Sequence, residues 1–208
     1  VPDCVKAFST LRDGGFSLSP YHGGISGTGG LNFGLHVGDD PVKVRENRAL
    51  LKKMLPSEPV WLNQIHGVNV VDAAKCAGVP DADASYTSAK NVVCVVMTAD
   101  CLPVLLCASD GMVVASVHAG WRGLVAGVLE KAVEAVRKIS GSEIMACIRG
   151  RRGCQNCFCP ERQTDVCGLQ AEWNEGRKIS GRYLCTCQTD FERSGYCPDL
   201  WRRFLYRI

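Results

Sequence analysis

The chain has 208 residues, of which 46% are hydrophobic, and this length and composition allow one sizeable core. Its formal net charge of +3 is too small to indicate binding to nucleic acid, and no run of basic residues is interleaved with aromatic residues. The chain has no apolar stretch near the roughly 20 residues of a membrane helix and does not open on a signal segment, so we predict a soluble cytoplasmic protein without membrane partners.

The thirteen cysteines are unevenly distributed along the chain. Five of them lie in residues 1–146, without the regular spacing of a disulfide framework. Two of these five, Cys94 and Cys107, lie inside apolar runs that are typical of strands. The other eight are crowded into the last part of the chain. We therefore predict that the cysteines of residues 1–146 are reduced, as thiols are in the cytosol.

Turn residues and apolar periodicity predict the elements in chain order. Residues 9–40 are rich in Gly, Ser and Asp and predict turns and loops. Pro41, preceded by Asp40, predicts the start of a helix that extends to residue 55. Further along, the pattern predicts short strands at 60–65 and 68–71, a polar loop at 81–83, a buried strand at 91–98 and a helix at 122–139.

A β-hairpin is predicted around residues 109–112, where Asp-Gly lies between two apolar runs and favours a two-residue turn. Residues 109 and 112 would pair across this turn, and in the same register Pro103 would lie opposite His118. Cys101 would then be a diagonal neighbour of His118 on the same face, roughly 7–8 Å away at the backbone. The hairpin therefore predicts that Cys101 and His118 can share one ion.

Three side chains, His66, Cys101 and His118, are the candidate functional residues, and each is flanked by small or turn-forming residues. Two imidazoles and one thiolate form the ligand set of a three-coordinate catalytic metal site with an open fourth position. Taken singly, each of the three is equally well explained as a core or surface residue without function. All three together favour a catalytic metal site that binds Zn²⁺ or Cu²⁺.

An anion site is predicted next to this metal. The helix predicted at 122–139 begins shortly after His118, so its free backbone N–H groups and the positive end of its dipole point near the ion. Arg122 stands at the start of the same helix and would contact a bound phosphate. The alternative interpretation is that Arg122 is a solvated arginine at a helix start.

Seven stretches contain or accompany these residues: Arg12-Asp-Gly-Gly-Phe-Ser17, residues 31–39, Asn47-Arg48, Gln64-Ile-His66, Asp81-Ala-Asp83, Thr98-Ala-Asp-Cys-Leu-Pro103 and His118-Ala-Gly-Trp-Arg-Gly123. Together they resemble a family of bacterial proteins described as multicopper polyphenol oxidases with a laccase domain, and also as purine nucleoside phosphorylases or peptidoglycan-editing factors. The resemblance implies an α+β fold, a mixed α/β sandwich similar to that of a cysteine-hydrolase-like group. It also implies that His66, Cys101 and His118 are the metal-ligating or catalytic residues, and that Arg48 contacts substrate or phosphate.

The resemblance ends after Ala146, where a stretch rich in Cys and Arg replaces the segments of the family. Reading codons compatible with this stretch one base later restores family-like segments at 147–155 and 197–206, so we interpret it as the product of a frameshift. The chain then consists of one domain, a catalytic core at 1–146, and an aberrant tail at 147–208. We predict that none of the tail's cysteines binds the functional metal. The coding DNA tests this hypothesis, because codons that forbid the shifted reading would end it.

The predicted site and the resemblance favour a metal-dependent purine nucleoside enzyme, which catalyses phosphorolysis of adenosine or inosine, or deamination of adenosine. A copper-dependent laccase-type oxidase acting on phenols is the alternative, since one Cys and two His also form the core ligand set of an electron-transfer copper. A multicopper oxidase needs many more histidines than the four of this chain. A Cys–His thiol hydrolase or a non-catalytic metal-binding protein is the remaining alternative.

Overall fold

A five-stranded sheet holds the segments that carry the candidate residues. The structure is a computed structural model that describes residues 2–22, 29–148 and 167–168. The strands in these ranges are β1 Phe8–Ser9, β2 Asp13–Gly15, β3 Gly29–Gly30, β4 Val70–Asp72, β5 Ala84–Thr87, β6 Leu102–Ala108, β7 Val114–Ala119, β8 Ile144–Ile148 and β9 Cys167–Gly168. The helices are α1 Pro41–Lys52, α2 Trp121–Ala126 and α3 Val128–Arg137, with a 3₁₀ turn at Ala73–Lys75.

The central sheet has the strand order β4-β5-β7-β6-β8. β4 and β5 are parallel, whereas every other neighbouring pair is antiparallel. Two small antiparallel pairs lie outside this sheet, β1 with β9 and β2 with β3. The sheet is therefore mixed, with β7 in its middle.

The core lies between this sheet and α3. The apolar residues of α3 recur at helical spacing on one face, and Val128, Leu129, Ala132, Val133 and Val136 are all buried. They belong to one apolar cluster with the inward-facing side chains of the sheet, Val104, Leu106, Ala115 and Val117 among them. The expectation of a mixed α/β arrangement in one domain is confirmed, while the closer similarity to a cysteine-hydrolase-like sandwich stays a prediction.

The helix predicted at 41–55 is confirmed at its start and ends earlier than expected. The Asp40 carboxylate accepts a hydrogen bond from the N–H of Val42 at 2.8 Å, which caps the first turn. Regular helix stops at Lys52. The N–H groups of residues 53–55 donate to carbonyls three residues earlier, so the chain continues as a tighter turn of the 3₁₀ type.

The prediction of strands at 60–65 and 91–98 is wrong. These two segments pair with each other at a single isolated bridge, Val60 with Cys94. The side-chain amide of Gln64 takes the place of further ladder bonds. It accepts from the N–H of Met97 at 2.7 Å and donates to its carbonyl at 2.8 Å. The run of valines at 92–96 is half-buried rather than buried. The strand predicted at 68–71 is observed as β4, two residues later.

The single helix predicted at 122–139 is also wrong, because Gly127 divides it into α2 and α3. Gly127 has a φ of 94°, in the left-handed region that a helix cannot contain and that favours glycine. Its N–H closes α2 by donating to carbonyls of that helix. The break lets α2 approach the loop at 66–67 while α3 packs on the sheet.

Asn47 connects α1 to the turn-rich N-terminal region. Its side chain is fully buried. The amide oxygen accepts from the N–H of Phe16 at 2.8 Å, and the amide nitrogen donates to Ser17 Oγ and to the carbonyls of Gly30 and Asn32. One side chain thus satisfies polar groups of four residues that lie before α1.

We expect Asn47→Ala to lower the free energy of unfolding by about 2–3 kcal/mol, because it removes four hydrogen bonds of a fully buried side chain, among them the bond to the N–H of Phe16. Urea denaturation measures the loss. Asn69→Ala is the matched control, since the exposed Asn69 amide makes one side-chain bond, to the carbonyl of Asp81. Equal stability losses in the two variants would contradict this account.

Most of the predicted tail lies outside the described residues. β8 continues the sheet past residue 146, with Cys147 opposite Leu105 and Ile148 opposite Val104. β9 is the other tail segment that the structure describes. None of the helices in the described ranges is long and apolar enough to cross a membrane.

Candidate metal centre

Three separate segments bring His66, Cys101 and His118 together. His66 precedes β4, Cys101 stands immediately before β6, and His118 is in β7. One ligand atom of each, a ring nitrogen or the thiol sulfur, lies within 4.8 Å of the others. Cys101 Sγ is 3.7 Å from His66 Nε2, and the two imidazole rings meet edge to face with centroids 4.7 Å apart. The predicted convergence of these three side chains is confirmed.

The hairpin supplies Cys101 and His118 in the predicted register, with Pro103 opposite His118. Its turn is wider than predicted. Ala108 donates to the Val113 carbonyl at 3.0 Å, and the N–H of residue 109 donates to the carbonyl of Glu143 instead of pairing with residue 112. Because the extra turn residues are distributed symmetrically, the register is unchanged.

His66 has a left-handed backbone conformation, with a φ of 60°, that residues other than glycine rarely adopt. The N–H groups of Ile65, His66 and Gly67 converge on the fully buried carboxylate of Asp83. Their distances to its oxygens are 3.3, 2.9 and 2.6 Å. Three convergent donors favour a bound anion, and here a side-chain carboxylate takes that place.

His118 is also held by Asp83. Its Nδ1 lies 2.8 Å from Asp83 Oδ1, and its backbone N–H donates to the Asp83 carbonyl at 2.7 Å. A carboxylate can only accept, so Nδ1 carries the proton and Nε2 keeps its lone pair for an ion. A ligating histidine that donates its other N–H to a carboxylate is the usual arrangement at protein metal sites.

Burial sets the protonation of the site. Burial raises the pKa of the Cys101 thiol above its ordinary value, and the nearby carboxylate of Asp100 raises it further. Burial lowers the pKa of His118, and the hydrogen bond to Asp83 opposes this effect in part. The metal-free site therefore holds a neutral thiol and a neutral His118 near pH 7.

The donor set fits a single ion. A tetrahedral Zn²⁺ with bonds of about 2.0–2.1 Å to nitrogen and about 2.3 Å to sulfur spaces these ligand atoms roughly 3.3–3.6 Å apart. The Cys101–His66 separation of 3.7 Å already approaches this value, and side-chain shifts of about 1 Å close the rest. Among the described cysteines, only Cys101 belongs to this cluster.

Gly120 forms one wall of the site. A Cβ at this position would lie 2.8 Å from His66 Cδ2 and 3.2 Å from Cys101 Sγ. Gly123, one turn along α2, approaches the Gly67 carbonyl so closely that its own Cβ would be 2.9 Å away. Because Gly120 and Gly123 have no side chain, the loop at 66–67 can pack closely against this segment.

The two predicted arginines have different surroundings. Arg122 is exposed on α2, and its guanidinium lies 5.0 Å from the ring centroid of the exposed Trp121. Arg48 donates to the Phe33 carbonyl through Nε and Nη2, at 3.0 and 2.7 Å, and stacks 3.8 Å from the Trp61 ring centroid. The contacts of Arg48 are therefore internal, and its contact with phosphate stays a prediction.

Asp83 is a functional residue that the sequence pattern does not single out, because the pattern at 81–83 predicts only a polar loop. The carboxylate of this residue is at the centre of the site's hydrogen bonds, although it is no part of the ligand set. Its position in Asp81-Ala-Asp83, one of the motifs of the resemblance, was the available signal. Nothing in that motif indicates that Asp81 is exposed while Asp83 is fully buried.

A mixed sheet with one helical layer and a His–Cys–His cluster at the start of a hairpin defines a small α+β protein with a candidate site for one transition-metal ion. The model of the family described as multi-copper polyphenol oxidoreductase laccase matches residues 6–172. The chain belongs to this family. The match continues past residue 146, where the motif resemblance ends.

Several relatives carry names that specify an activity. The chain is 52% identical over 139 residues to the purine nucleoside phosphorylase YfiH of Shigella flexneri, covering 64% of this chain and 53% of that protein. It is 46% identical over 144 residues to the purine nucleoside phosphorylase PA4543 of Pseudomonas aeruginosa, covering 69% of this chain and 56% of that protein. The chain spans about half the length of these relatives.

Solved structures match the same part of the fold. The Neisseria meningitidis protein NMB0706 superposes with a TM-score of 0.59 at 46% identity, covering 68% of this chain and 55% of that one. YlmD from Geobacillus stearothermophilus gives a TM-score of 0.59 at 30% identity, covering 72% of this chain and 58% of that one.

Proposed function

We propose that this chain carries the metal site of a purine nucleoside phosphorylase. The observation that carries the proposal is the cluster of His66, Cys101 and His118, in a chain about half identical to relatives with that name. In this reaction phosphate attacks the anomeric carbon of the nucleoside. The bond from that carbon to the purine nitrogen breaks, and the products are ribose 1-phosphate and the free base.

The residues of the chain have distinct parts in this proposal. His66 Nε2, Cys101 Sγ and His118 Nε2 would hold the ion, and Asp83 keeps the proton of His118 on the opposite ring nitrogen. A bound ion would supply a Lewis acid at this site. Arg122 binds phosphate from the exposed side of α2, and the Trp121 ring beneath it limits where its guanidinium can point.

Product analysis tests the proposal directly. We expect the protein with Zn²⁺ to convert adenosine or inosine and phosphate to free base and ribose 1-phosphate, as separated by chromatography. Omission of phosphate should stop this conversion. Release of inosine from adenosine without phosphate would indicate deamination instead. Failure to bind Zn²⁺ or Cu²⁺, as measured by metal analysis of the protein, would refute the metal site.

Oxidation of phenols by bound copper is the second candidate, favoured by the description of the family and by a Cys and two His as ligands. His22 and His36 are exposed and do not belong to the cluster among the described residues. We therefore expect slow phenol oxidation with Cu²⁺ and none with Zn²⁺, as measured by oxygen uptake.

A metal-free thiol hydrolase is less well supported by the electrostatics. A catalytic thiolate requires a depressed pKa, whereas burial and Asp100 raise the pKa of Cys101. Moreover, Asp83 orients His118, while the thiol's contact at 3.7 Å is with His66. The Cys, His and Asp residues thus do not form one chain of hydrogen bonds from thiol to carboxylate.

The pH dependence of metal binding is expected to follow from the raised pKa of Cys101. Below that pKa the ion must displace the thiol proton, so the apparent affinity for Zn²⁺ should fall about tenfold for each unit of pH between 8 and 7. His118 should add no second proton in this range, because burial lowers its pKa. Competition with a chromophoric chelator measures the slope.

The control for this prediction is Cys76→Ser, because burial also raises the pKa of Cys76 but its thiol is outside the cluster. This variant should keep the slope of the wild-type protein. An affinity that is constant between pH 7 and 8 would show that Cys101 is not a thiolate ligand.

A further inference from the structure

Asp83 makes an unusual set of contacts for a residue that is not itself a ligand. Its carboxylate is fully buried and has four N–H donors around it. Oδ2 accepts from the backbone of Ile65 and Gly67, whereas Oδ1 accepts both from the backbone N–H of His66 and from the ring Nδ1 of His118. A single oxygen atom therefore connects the backbone of one candidate ligand, His66, with the imidazole ring of the other, His118.

We propose that Asp83 is the positioning residue of the metal centre, which holds the backbone of His66 and fixes the tautomer of His118 through Oδ1. The proposal rests on the proposed function in so far as the cluster binds an ion. Oδ1 lies 2.9 Å from the N–H of His66 and 2.8 Å from Nδ1 of His118, so neither residue can shift without losing a hydrogen bond.

The backbone of His66 gives a physical reason for this role. A left-handed backbone conformation such as that of His66 is unfavourable for a residue other than glycine. An acceptor that binds all three convergent N–H groups of residues 65–67 offsets this unfavourable energy. The Asp83 carboxylate does so through charge-assisted hydrogen bonds. Asp83 thus stabilises the turn that points the His66 ring toward Cys101.

Asparagine in place of Asp83 separates this role from simple filling of space, because the two side chains have nearly the same shape. An amide has one oxygen and one NH₂ group. With its NH₂ at the Oδ2 position, Asn would face the donors of Ile65 and Gly67. With its NH₂ at the Oδ1 position, it would face only the one backbone donor of His66 and would donate to His118 Nδ1, so this orientation loses fewer hydrogen bonds and is the one we expect. The His118 proton would then move to Nε2, the atom that binds the ion.

The test is Asp83→Asn, with Asp81→Asn as the matched control in the same loop. Asp81 is exposed and accepts from the Asn63 amide at 2.7 Å. We expect Asp83→Asn to weaken Zn²⁺ binding by about 10–100-fold in a chelator competition, and Asp81→Asn to leave it unchanged. Excess Zn²⁺ should restore most of the activity of the Asp83 variant.

Nitrogen NMR of the metal-free protein gives the second measurement. The proton of His118 should be on Nδ1 in the wild-type protein and on Nε2 in Asp83→Asn. The wild-type spectrum tests the proposal even if the variant does not fold, because a wild-type proton on Nε2 would overturn it. A variant that only melts at lower temperature, with wild-type affinity and tautomer, would also overturn it. Failure of the wild-type protein to phosphorolyse nucleosides would refute the proposed function and leave the tautomer test intact.

Discussion

Replacing Cys101 with alanine should abolish both metal uptake and nucleoside phosphorolysis. The variant loses the only thiolate among the three candidate ligands, and two imidazoles alone bind Zn²⁺ weakly. We expect kcat/KM to fall by about a thousandfold or more, which corresponds to the several kcal/mol of transition-state stabilisation that a bound ion supplies. Metal analysis and steady-state kinetics on the same preparation measure the two losses together.

Cys107→Ala is the control for this variant, because Cys107 lies in β6 a short distance along the same hairpin but outside the cluster. It should keep its metal and its activity. Full activity in Cys101→Ala would show that the chemistry occurs elsewhere in the protein.

Gly120→Ala should weaken metal binding by about 10–100-fold, or about 1.4–2.7 kcal/mol, without unfolding the protein. The backbone of Gly120, with a φ of −65° and a ψ of 154°, is open to any residue, so the added methyl group acts only through contact. This methyl group would lie 2.8 Å from a ring carbon of His66 and 3.2 Å from the sulfur of Cys101. Either ligand must move away from the ion to relieve the overlap.

Gly141→Ala is the matched control, since a Cβ at Gly141 would have no atom within 4 Å. Chelator competition gives the affinities, and thermal melting of the metal-free proteins separates a local from a global effect. If Gly120→Ala binds Zn²⁺ as tightly as Gly141→Ala, the geometry of the cluster tolerates more movement than we infer.

The part of the site that could be predicted from sequence is the part that local pairing determines. In the hairpin, Asp-Gly and its two apolar flanks determine which residues are opposite each other, so the amino-acid sequence alone is enough to place Pro103 opposite His118. The wider turn did not disturb this assignment, because the extra residues are symmetric about it. The cap at Asp40 was predictable for the same reason, since it involves only neighbouring residues.

The errors have non-local causes. The segment at 91–98 is rich in valine and has the composition of a strand. Its neighbour at 60–64, however, bonds to it through the Gln64 side chain instead of a ladder of backbone hydrogen bonds. Gly127 interrupts a continuous helical pattern, because the packing of α2 and α3 in different directions requires a left-handed residue. Asp83 could not be distinguished from Asp81 for a similar reason. Its importance depends on donors that are 16 to 35 residues away in sequence.

The origin of the ligands in distant segments has a thermodynamic consequence. His66 and Cys101 are separated by 35 residues, so an unfolded chain rarely brings them together, and an ion held by both would bind the native state far better than the denatured one. Free Zn²⁺ at a hundred times its dissociation constant would then add about 2.7 kcal/mol to the free energy of unfolding. The supply of this metal would therefore shift the fraction of the chain that is folded.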